Sequence, residues 1–251
     1  GGLDGPDVAL RLDETPRAFI SNALMYQMKQ GNYIYILDEN GQVNGIYKKE
    51  DEALKHNLWG KEDNAEIQKG IKDLQAFVQD YMDKISAITG RTYHLFDYYG
   101  APDADRVIVA IGSVSDICKD VADAINASGE KVGIVNVHLY RPFSVDHFIK
   151  QLPETVKKIA VLDRTREPGA IGEPLFLDVQ SAVTAAGRDI KVCGGRYGLG
   201  SKDVIPEDIM AVYEHLKAEM PRHNFTVSIK DDVTGLSLTP VPVPEKESKL
   251  V

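Results

Sequence analysis

The stretch RVIVAIGS, residues 106–113, decides the fold of this chain. It is a short and almost wholly apolar run that ends in Gly-Ser, and the helix-like segment SDICKDVADAINASG, residues 115–129, follows it. A strand that reads as a continuous apolar run is typical of a parallel sheet that helices cover on both faces. The stretch therefore predicts a buried strand followed by a crossover helix.

The same unit of apolar run and helix recurs three more times along the chain. The later runs are KVGIVNVH (131–138), VKKIAVLD (156–163) and DIKVCGG (189–195), and the later helices are expected within 144–153, 172–187 and 205–220. Consecutive units of this kind predict an α/β fold, with an open and mostly parallel sheet that carries helices on both faces. The segment NFTVSI, residues 224–229, is expected to add an edge strand.

The parts on either side of this series read differently. Residues 1–75 are expected to form an N-terminal extension, in which YIYIL (33–37) and VNGIY (43–47) predict a hairpin. An amphipathic helix is expected over residues 61–89 and ends at Gly90. Residues 76–230 hold the α/β domain. Residues 231–251 are rich in Pro, Thr and charge, and they read as a linker that leaves the domain.

Composition restricts the classes of partner. The net charge is −9 in 251 residues, and a chain this acidic repels nucleic-acid backbones. It has no apolar run of the roughly 18 residues that a membrane span needs. The N-terminus has no features of a signal peptide and no initiator Met, so we expect an excised piece of a longer chain. Cys118 and Cys193 are expected to be buried, reduced thiols, which suits a cytoplasmic protein.

The candidate site lies where the predicted parallel strands end, because functional loops gather at that edge of such sheets. The loops after the third and fourth strands, DRTREPGAIGEP (163–174) and GGRYGLGSKD (194–203), are densely charged and rich in glycine. The residues expected to lie within reach of one another, as interface or anion-binding candidates, are Arg141, Asp163, Arg164, Arg166, Glu167, Arg196 and Lys202.

These residues favour charge pairing over catalysis. Arg141 is expected to pair with Asp163, although it could bind an anion instead. Glu167 and Glu173 could form a catalytic pair, yet they lack a His, Lys or Ser partner nearby in sequence, and Glu173 suits the start of a helix. The stretch GSVSD (112–116) could hold a phosphate, but it reads more simply as a helix start capped by Ser113 or Ser115.

The familiar motifs of phosphate binding, metal binding and hydrolysis are missing from the sequence. It has neither GxGxxG nor GxxxxGK[ST], and neither GxSxG nor HExxH. Its six histidines are not spaced as metal ligands, so no metal site is predicted and no residue is assigned as catalytic.

Five stretches together resemble core domain II of the pyruvate:ferredoxin (or flavodoxin) oxidoreductases. They are TGRTYHLFDYYGAPDADRVIVAIGS (89–113), VHLYRPF (137–143), IAVLDRTREPGAIGEPLFLDV (159–179), GGRYGLGSKD (194–203) and NFTVSIKDDVTGLSL (224–238). The resemblance runs from about residue 78 to about residue 238 and implies a transketolase C-terminal-like fold.

The resemblance also implies a function for the parent enzyme. Such enzymes convert pyruvate and coenzyme A to acetyl-CoA and carbon dioxide with thiamine diphosphate, Mg and iron-sulfur clusters, and they pass electrons to ferredoxin or flavodoxin. The partners implied for this piece are the other domains of the same polypeptide and a second copy in a homodimer. No cofactor is expected on the fragment alone, because two lone cysteines cannot hold a four-iron cluster.

Three readings follow from the sequence. The first is a structural, non-catalytic domain of such an oxidoreductase, and the second is a module of the same enzyme that binds an anion or coenzyme A. The parent could equally be a pyruvate:NADP oxidoreductase or another 2-oxoacid oxidoreductase. The third reading is an independent enzyme, and the absence of a nucleophile motif and of metal-ligand spacing argues against it. The expected location is the cytoplasm, or an anaerobic organelle related to mitochondria if the source is eukaryotic.

Overall fold

The computed structural model of this chain describes residues 33–37, 43–48 and 65–244, with side chains from residue 69 onward. The chain divides into two units between Asp73 and Leu74. In the first unit, strands β1 (Tyr33–Leu37) and β2 (Val43–Lys48) pair antiparallel with Tyr33 opposite Lys48, which confirms the predicted hairpin. Helix α1 spans Ala65–Thr89 and ends before Gly90, whose positive φ of 71° suits a helix stop.

The second unit is built on a six-stranded sheet in the order β3-β5-β4-β6-β7-β8. Strands β4 to β8 run parallel to one another, and β3 pairs antiparallel with β5 at one edge. The strands are β3 Phe96–Gly100, β4 Arg106–Ala110, β5 Val132–Val137, β6 Lys158–Asp163, β7 Lys191–Arg196 and β8 Phe225–Thr226. The mostly parallel sheet and the edge strand from NFTVSI are confirmed. Sequence reasoning missed β3.

Helices cover both faces of the sheet, as the sequence predicts. On one face α2 (Val114–Ala127) and α5 (Pro206–His215) pack against alternate residues of the central strands, such as Ile108 and Ile134. On the other face α3 (Val145–Gln151) and α4 (Pro174–Ala185) pack against the intervening residues, such as Val107 and Val135. All five residues of β4 are buried, which explains the continuous apolar run.

The segment after β8 lies on the domain over part of its length. The Thr226 amide donates to the Leu236 carbonyl at 3.0 Å, and the Leu238 amide donates to the Thr226 carbonyl at 2.8 Å. Leu238, Val241 and Val243 pack against the core on the α2 and α5 face. Residues 236–243, which the sequence places in a linker, therefore contribute apolar contacts to the unit.

Both cysteines are free and lie in the core, as predicted. Burial raises the pKa of the Cys193 thiol to about 12 and also raises the pKa of the Cys118 thiol. Over the described ranges, none of the helices combines the length and hydrophobicity that a bilayer crossing requires.

Candidate functional site

Asp163 ends strand β6 and caps the next helix. Its Oδ1 accepts the amide hydrogen of Leu175 at 2.9 Å, and its Oδ2 accepts that of Phe176 at 3.1 Å. Both amides belong to the first turn of α4, where a carboxylate also meets the positive end of the helix dipole. Burial raises the pKa of the Asp163 carboxyl, and the two backbone hydrogen bonds oppose that rise only in part.

Glu173 and Arg196 form a buried ion pair beside this cap. The Arg196 Nε donates to Glu173 Oε1, and the two side chains are only 14% and 4% exposed. The second Glu173 oxygen accepts the Glu167 amide at 2.7 Å, while the Arg196 Nη2 donates to Asn224 Oδ1 at 3.1 Å. We call Asp163, Glu173, Arg196 and Asn224 the charged cluster; its members hold the ends of β6, β7 and the approach to β8 together.

The charged cluster leaves no carboxylate pair for acid and base catalysis. Glu173 is turned inward to Arg196, whereas the Glu167 side chain is exposed and contributes only its backbone. Glu173 sits at the N-cap of α4 but makes no side-chain cap hydrogen bond, because Asp163 supplies that cap from the neighbouring strand.

Four residues of the same loop point away from the charged cluster into solvent. Arg164, Arg166 and Glu167 are exposed, and Ile171 at the tip of the loop is 86% exposed. Arg164 extends over Gly198, where a built Cβ would come within 3.0 Å of its Nε, so the glycine leaves room for the side chain. We call Arg164, Arg166, Glu167 and Ile171 the outer rim.

The structure corrects the predicted partner of Arg141. Its Nη2 lies 2.7 Å from Asp178 Oδ2 on α4, and its guanidinium stacks on the Tyr140 ring at 4.0 Å. Asp163 instead caps α4, because its two oxygens accept the amide hydrogens of Leu175 and Phe176. The second loop is therefore tied to the side of α4 and not to the end of β6.

Lys202 does not join the other predicted residues. Its Nζ lies 3.8 Å from Asp231, and the side chain is half exposed. It lines a separate cavity of about 710 Å³ between residues 202–208, which lead into α5, and the segment after β8. Of the seven predicted residues, Asp163 and Arg196 belong to the charged cluster, and Arg164, Arg166 and Glu167 form the rim around it.

The start of α2 departs from its prediction in one respect. Ser113 occupies the N-cap position without a side-chain cap hydrogen bond, and the buried Ser115 donates its hydroxyl hydrogen to Asn136 Oδ1 at 2.9 Å. The expected serine cap is therefore wrong, because Ser115 faces β5. Asp116 lies in the first turn as expected.

A cavity of about 600 Å³ opens at the ends of β4 and β5. We call it the β4–β5 hollow. Its wall includes the start of α2 and polar side chains from three separate segments, among them Arg91, Asp97, Ser113, Lys119, Asn136 and His138.

Two histidines contact one carboxylate at this hollow. His94 Nδ1 lies 2.6 Å from Asp97 Oδ1, and His138 Nε2 lies 3.0 Å from Asp97 Oδ2. Burial acts to raise the pKa of the Asp97 carboxyl, but hydrogen bonds from His138 and His94 outweigh it and lower the pKa. In the part of the chain that the structure describes, no group of three or more His, Cys, Asp or Glu side chains is placed to hold a metal ion.

Sequence reasoning missed the partners that complete these arrangements. Glu173 was considered for a catalytic pair with Glu167 and for a helix-start role, but not as the partner of Arg196, and Asp178 and Asn224 were not singled out. Asn224 directly precedes the predicted edge strand, and that position at the sheet edge is a signal that could have found it. The β4–β5 hollow has no such signal, because its lining comes from residues 91–97, 111–119 and 136–138.

Comparison with known proteins identifies the α/β unit. Residues 104–209 match the family described as pyruvate:ferredoxin oxidoreductase core domain II. Several curated relatives share half or more of the aligned residues. A pyruvate-flavodoxin oxidoreductase of Enterobacter agglomerans is 56% identical over 66% of this chain and 14% of its own length. The mitochondrial NADP(+) pyruvate dehydrogenase of Euglena gracilis is 50% identical over 66% of this chain and 9% of its own.

The chain thus spans a small fraction of the length of these relatives, 14% and 9%. Among solved structures, a 2-oxoglutarate:ferredoxin oxidoreductase from Magnetococcus marinus aligns with 75% of this chain and 31% of its own, at a TM-score of 0.39 and 15% identity.

Proposed function

Since the α/β unit of this chain belongs to the family of pyruvate:ferredoxin oxidoreductase core domain II, we propose that it is a non-catalytic docking domain of such an enzyme. Its task is to hold companion domains of the same polypeptide in position. The observation that supports the proposal is that the 163–174 loop has two parts. Its residues in the charged cluster are buried and paired with protein groups, whereas its residues in the outer rim are exposed to solvent.

The charged cluster supports a structural role because its polar atoms are occupied by protein partners. Both oxygens of Asp163 and both of Glu173 accept hydrogen bonds from the backbone or from Arg196. A buried pair of this kind fixes orientation, and it engages the Glu173 carboxylate with a protein partner.

The outer rim supports docking because it has the composition of an interface. Ile171 offers an exposed apolar anchor, and Arg164, Arg166 and Glu167 are exposed charged side chains of the same loop. Protein interfaces combine an apolar centre with a polar border, and arginine is enriched in them. The companion surface should therefore provide an apolar pocket bordered by charges of both signs.

The parent reaction is part of the proposal. It is the conversion of pyruvate and coenzyme A to acetyl-CoA and carbon dioxide, with electrons passed to ferredoxin or flavodoxin. Thiamine diphosphate, Mg and iron-sulfur clusters would be held elsewhere in the parent. The residues here do not fit a cluster, because the only two cysteines of the chain are both buried in the core and a four-iron cluster takes four.

The test uses the complete enzyme with Ile171→Asp and, separately, Arg164→Ala. We expect both variants to lower the melting temperature or the assembled fraction while the KM for pyruvate stays within about twofold, because uniform binding of substrate is untouched. Lys202→Ala is the matched control, since Lys202 is exposed but lies outside the rim. An unchanged melting curve with a collapsed kcat would reverse the assignment and place the rim in catalysis.

The β4–β5 hollow favours a second candidate, a binding site for an anion such as the phosphates of coenzyme A. Its wall holds Arg91 and the ion pairs of Lys119 with Asp116 and of His138 with Asp97. These lie next to the start of α2, where backbone amides and the helix dipole favour negative charge. Titration calorimetry of the 251-residue chain with coenzyme A decides between the candidates. Binding that Arg91→Ala or Lys119→Ala abolishes supports the second, and no heat with the wild-type chain refutes it.

For the electron acceptor and the location of the parent enzyme, the proposal names only broad classes. Relatives named for flavodoxin and for NADP(+) share similar identity with this chain, so the domain suits either type of parent. We propose a cytoplasmic parent, or an organellar one if the source is eukaryotic, and a homodimer as its assembly.

A further inference from the structure

The side chain of His223 lies between strand β7 and the tip of the 163–174 loop. Its Nδ1 accepts the amide hydrogen of Gly194 at 3.0 Å, and its Nε2 lies 3.4 Å from the Ile171 carbonyl oxygen. Its ring also contacts the ring of Phe176 in helix α4, with centroids 4.3 Å apart. One imidazole therefore contacts three separate segments of the unit, and one of them carries the exposed Ile171 of the outer rim.

The tip of the loop depends on this imidazole for its position. Of the hydrogen bonds that the structure describes for residues 168–172, the bond with His223 is the one that reaches outside the loop. The other joins the Ala170 amide to the Glu167 carbonyl at 3.2 Å and closes a local turn. The conformation in which the loop presents Ile171 to solvent is therefore linked to the position of the His223 ring.

Two glycines leave the space that the two rings occupy. A Cβ built on Gly172 would overlap the Phe176 ring. A Cβ built on Gly194 would lie 3.0 Å from both Phe176 Cγ and His223 Cε1, which is closer than such atoms normally approach. The rings thus pack directly on the backbone of the loop and of β7, and the imidazole has little room to tilt while it stays seated.

The two polar partners of the ring fit one protonation state. A backbone amide can only donate a hydrogen bond and a carbonyl can only accept one, so Nδ1 must lack a hydrogen and Nε2 must carry one. A second proton would have to bind Nδ1, and it would then face the amide hydrogen of Gly194. The seated ring is therefore compatible with the neutral imidazole and incompatible with the imidazolium.

The surroundings offer an imidazolium no compensating ion pair. The elements around the ring are α4, β7, the 163–174 loop and the approach to β8. Besides the charged cluster and the outer rim, their titratable and charged side chains are Asp178, Lys191, Cys193 and Arg222. Asp178 pairs with Arg141, and Lys191 and Arg222 donate to backbone carbonyls. Burial raises the pKa of the Cys193 thiol to about 12, so this group stays neutral.

We propose that His223 is a pH-sensitive latch for the outer rim. The neutral ring holds the Ile171 carbonyl and seats the loop tip, whereas a proton taken from solvent by Nδ1 displaces the ring from the Gly194 amide and releases the tip. Histidine is the side chain that ordinarily changes charge between pH 5 and 8, so the release falls in that range. The inference rests on the docking role proposed for the rim and adds its regulation.

Amide hydrogen exchange of the 251-residue chain, followed by NMR between pH 8 and 5.5, tests the latch without companion domains. We expect the protection factor of the Gly194 amide to fall by about tenfold over this range, because linkage to one proton changes an equilibrium by up to about tenfold per pH unit. The Asn224 amide is the internal control, since it donates to the Gly194 carbonyl at 2.9 Å and makes no contact with the imidazole nitrogens.

Two variants separate titration from packing. His223→Gln keeps a hydrogen-bond acceptor and a donor but cannot gain a proton, so Gly194 protection should no longer depend on pH. His215→Gln is the matched control and should keep the pH dependence of the wild type, because His215 contacts the Arg222 carbonyl and not the loop. Parallel protection of Gly194 and Asn224 at every pH, or an unchanged pH dependence in His223→Gln, would overturn the latch.

The complete enzyme separates the latch from the docking role. If the latch regulates docking, the wild type should lose assembled fraction at pH 5.5 relative to pH 8, and His223→Gln should retain it. Assembly that depends equally on pH in both proteins would overturn the regulation and leave the docking role standing. The docking role itself fails on a different result, namely an Ile171→Asp enzyme that assembles and melts as the wild type does at pH 8.

Discussion

Two halves of one sheet edge have opposite characters in this protein. At the ends of β6 and β7, the charged cluster fills the space with its own ion pair and hydrogen bonds. At the ends of β4 and β5, polar side chains instead surround a cavity of about 600 Å³. Both halves are rich in charge, so density of charge in the sequence does not separate a sealed structural region from an open one.

The difference arises from which side chains find partners inside the fold. In the charged cluster the carboxylates face backbone amides and a guanidinium, and burial makes those contacts necessary because an unpaired buried charge is costly. At the wall of the hollow, Asp97 is contacted by two histidines and Lys119 pairs with Asp116, and a cavity of about 600 Å³ remains between the lining side chains. The sealed half therefore contributes stability, and the open half has room for a ligand.

The largest expected effect comes from Glu173→Ala, which breaks the sealed half. Removing one partner leaves Arg196 buried and unpaired, and we expect a loss of about 3–5 kcal/mol in the free energy of unfolding. Glu154→Ala is the matched control, since Glu154 pairs with Arg188 at 3.6 Å but is 91% exposed, and its loss should stay within about 0.5 kcal/mol. Urea denaturation measures both variants. Equal losses in the two variants would show that the buried ion pair of Glu173 contributes no more stability than the exposed pair of Glu154.

Asp163→Ala should follow, with a loss of about 1–3 kcal/mol at pH 7. The buried backbone amides of Leu175 and Phe176, at the start of α4, lose their acceptor. Asp116→Ala is the control, because Asp116 lies in the first turn of α2 but its side chain is 80% exposed, so its loss should be about 0.5 kcal/mol.

The pH dependence of the Asp163 contribution has a definite sign. Burial raises the pKa of this carboxyl in the folded state above its ordinary value. The folded protein therefore binds this proton more readily than the unfolded chain. The contribution of Asp163 to stability is complete below the unfolded pKa and is lost as pH rises through the folded pKa. As pH falls, the free energy of unfolding of the wild-type chain should therefore rise relative to that of Asp163→Asn. If the difference in free energy of unfolding between the wild type and Asp163→Asn shrinks as pH falls, the raised pKa is contradicted.

The fold could be predicted because its signal is local. Each apolar run from RVIVAIGS onward is a strand with both faces covered, and such strands need no knowledge of their neighbours to be recognised. Strand β3 escaped because it is an antiparallel edge strand in which only Phe96 is buried. A half-exposed pattern over five residues does not stand out from a loop.

The sequence could predict where the site lies, but not which residues contact one another within it. Strand ends in a parallel sheet must share an edge, so Asp163 and Arg196 were correctly placed near each other. Their partners depend on where α4 starts and which way each side chain turns, and those are set by packing. This is why Arg141 was assigned to Asp163 and lies instead on Asp178.

The smallest expected effect comes from Asp97→Asn, which probes the open half. Hydrogen bonds from His138 and His94 lower the pKa of this carboxyl despite its partial burial. We expect a loss of about 1 kcal/mol at pH 6, because the carboxylate form is the better acceptor for both histidines.

This loss should depend on pH in the opposite direction to that of Asp163. A lowered folded pKa means that the stabilisation is present above the ordinary value of about 3.9 and disappears as pH falls through the folded pKa. Urea denaturation of the wild type and of Asp97→Asn at pH 6, 5, 4 and 3 should show a difference in the free energy of unfolding that disappears only at the lowest pH values. A constant gap would show that Asp97 acts by packing alone, and the two halves of the edge would then differ in shape but not in electrostatics.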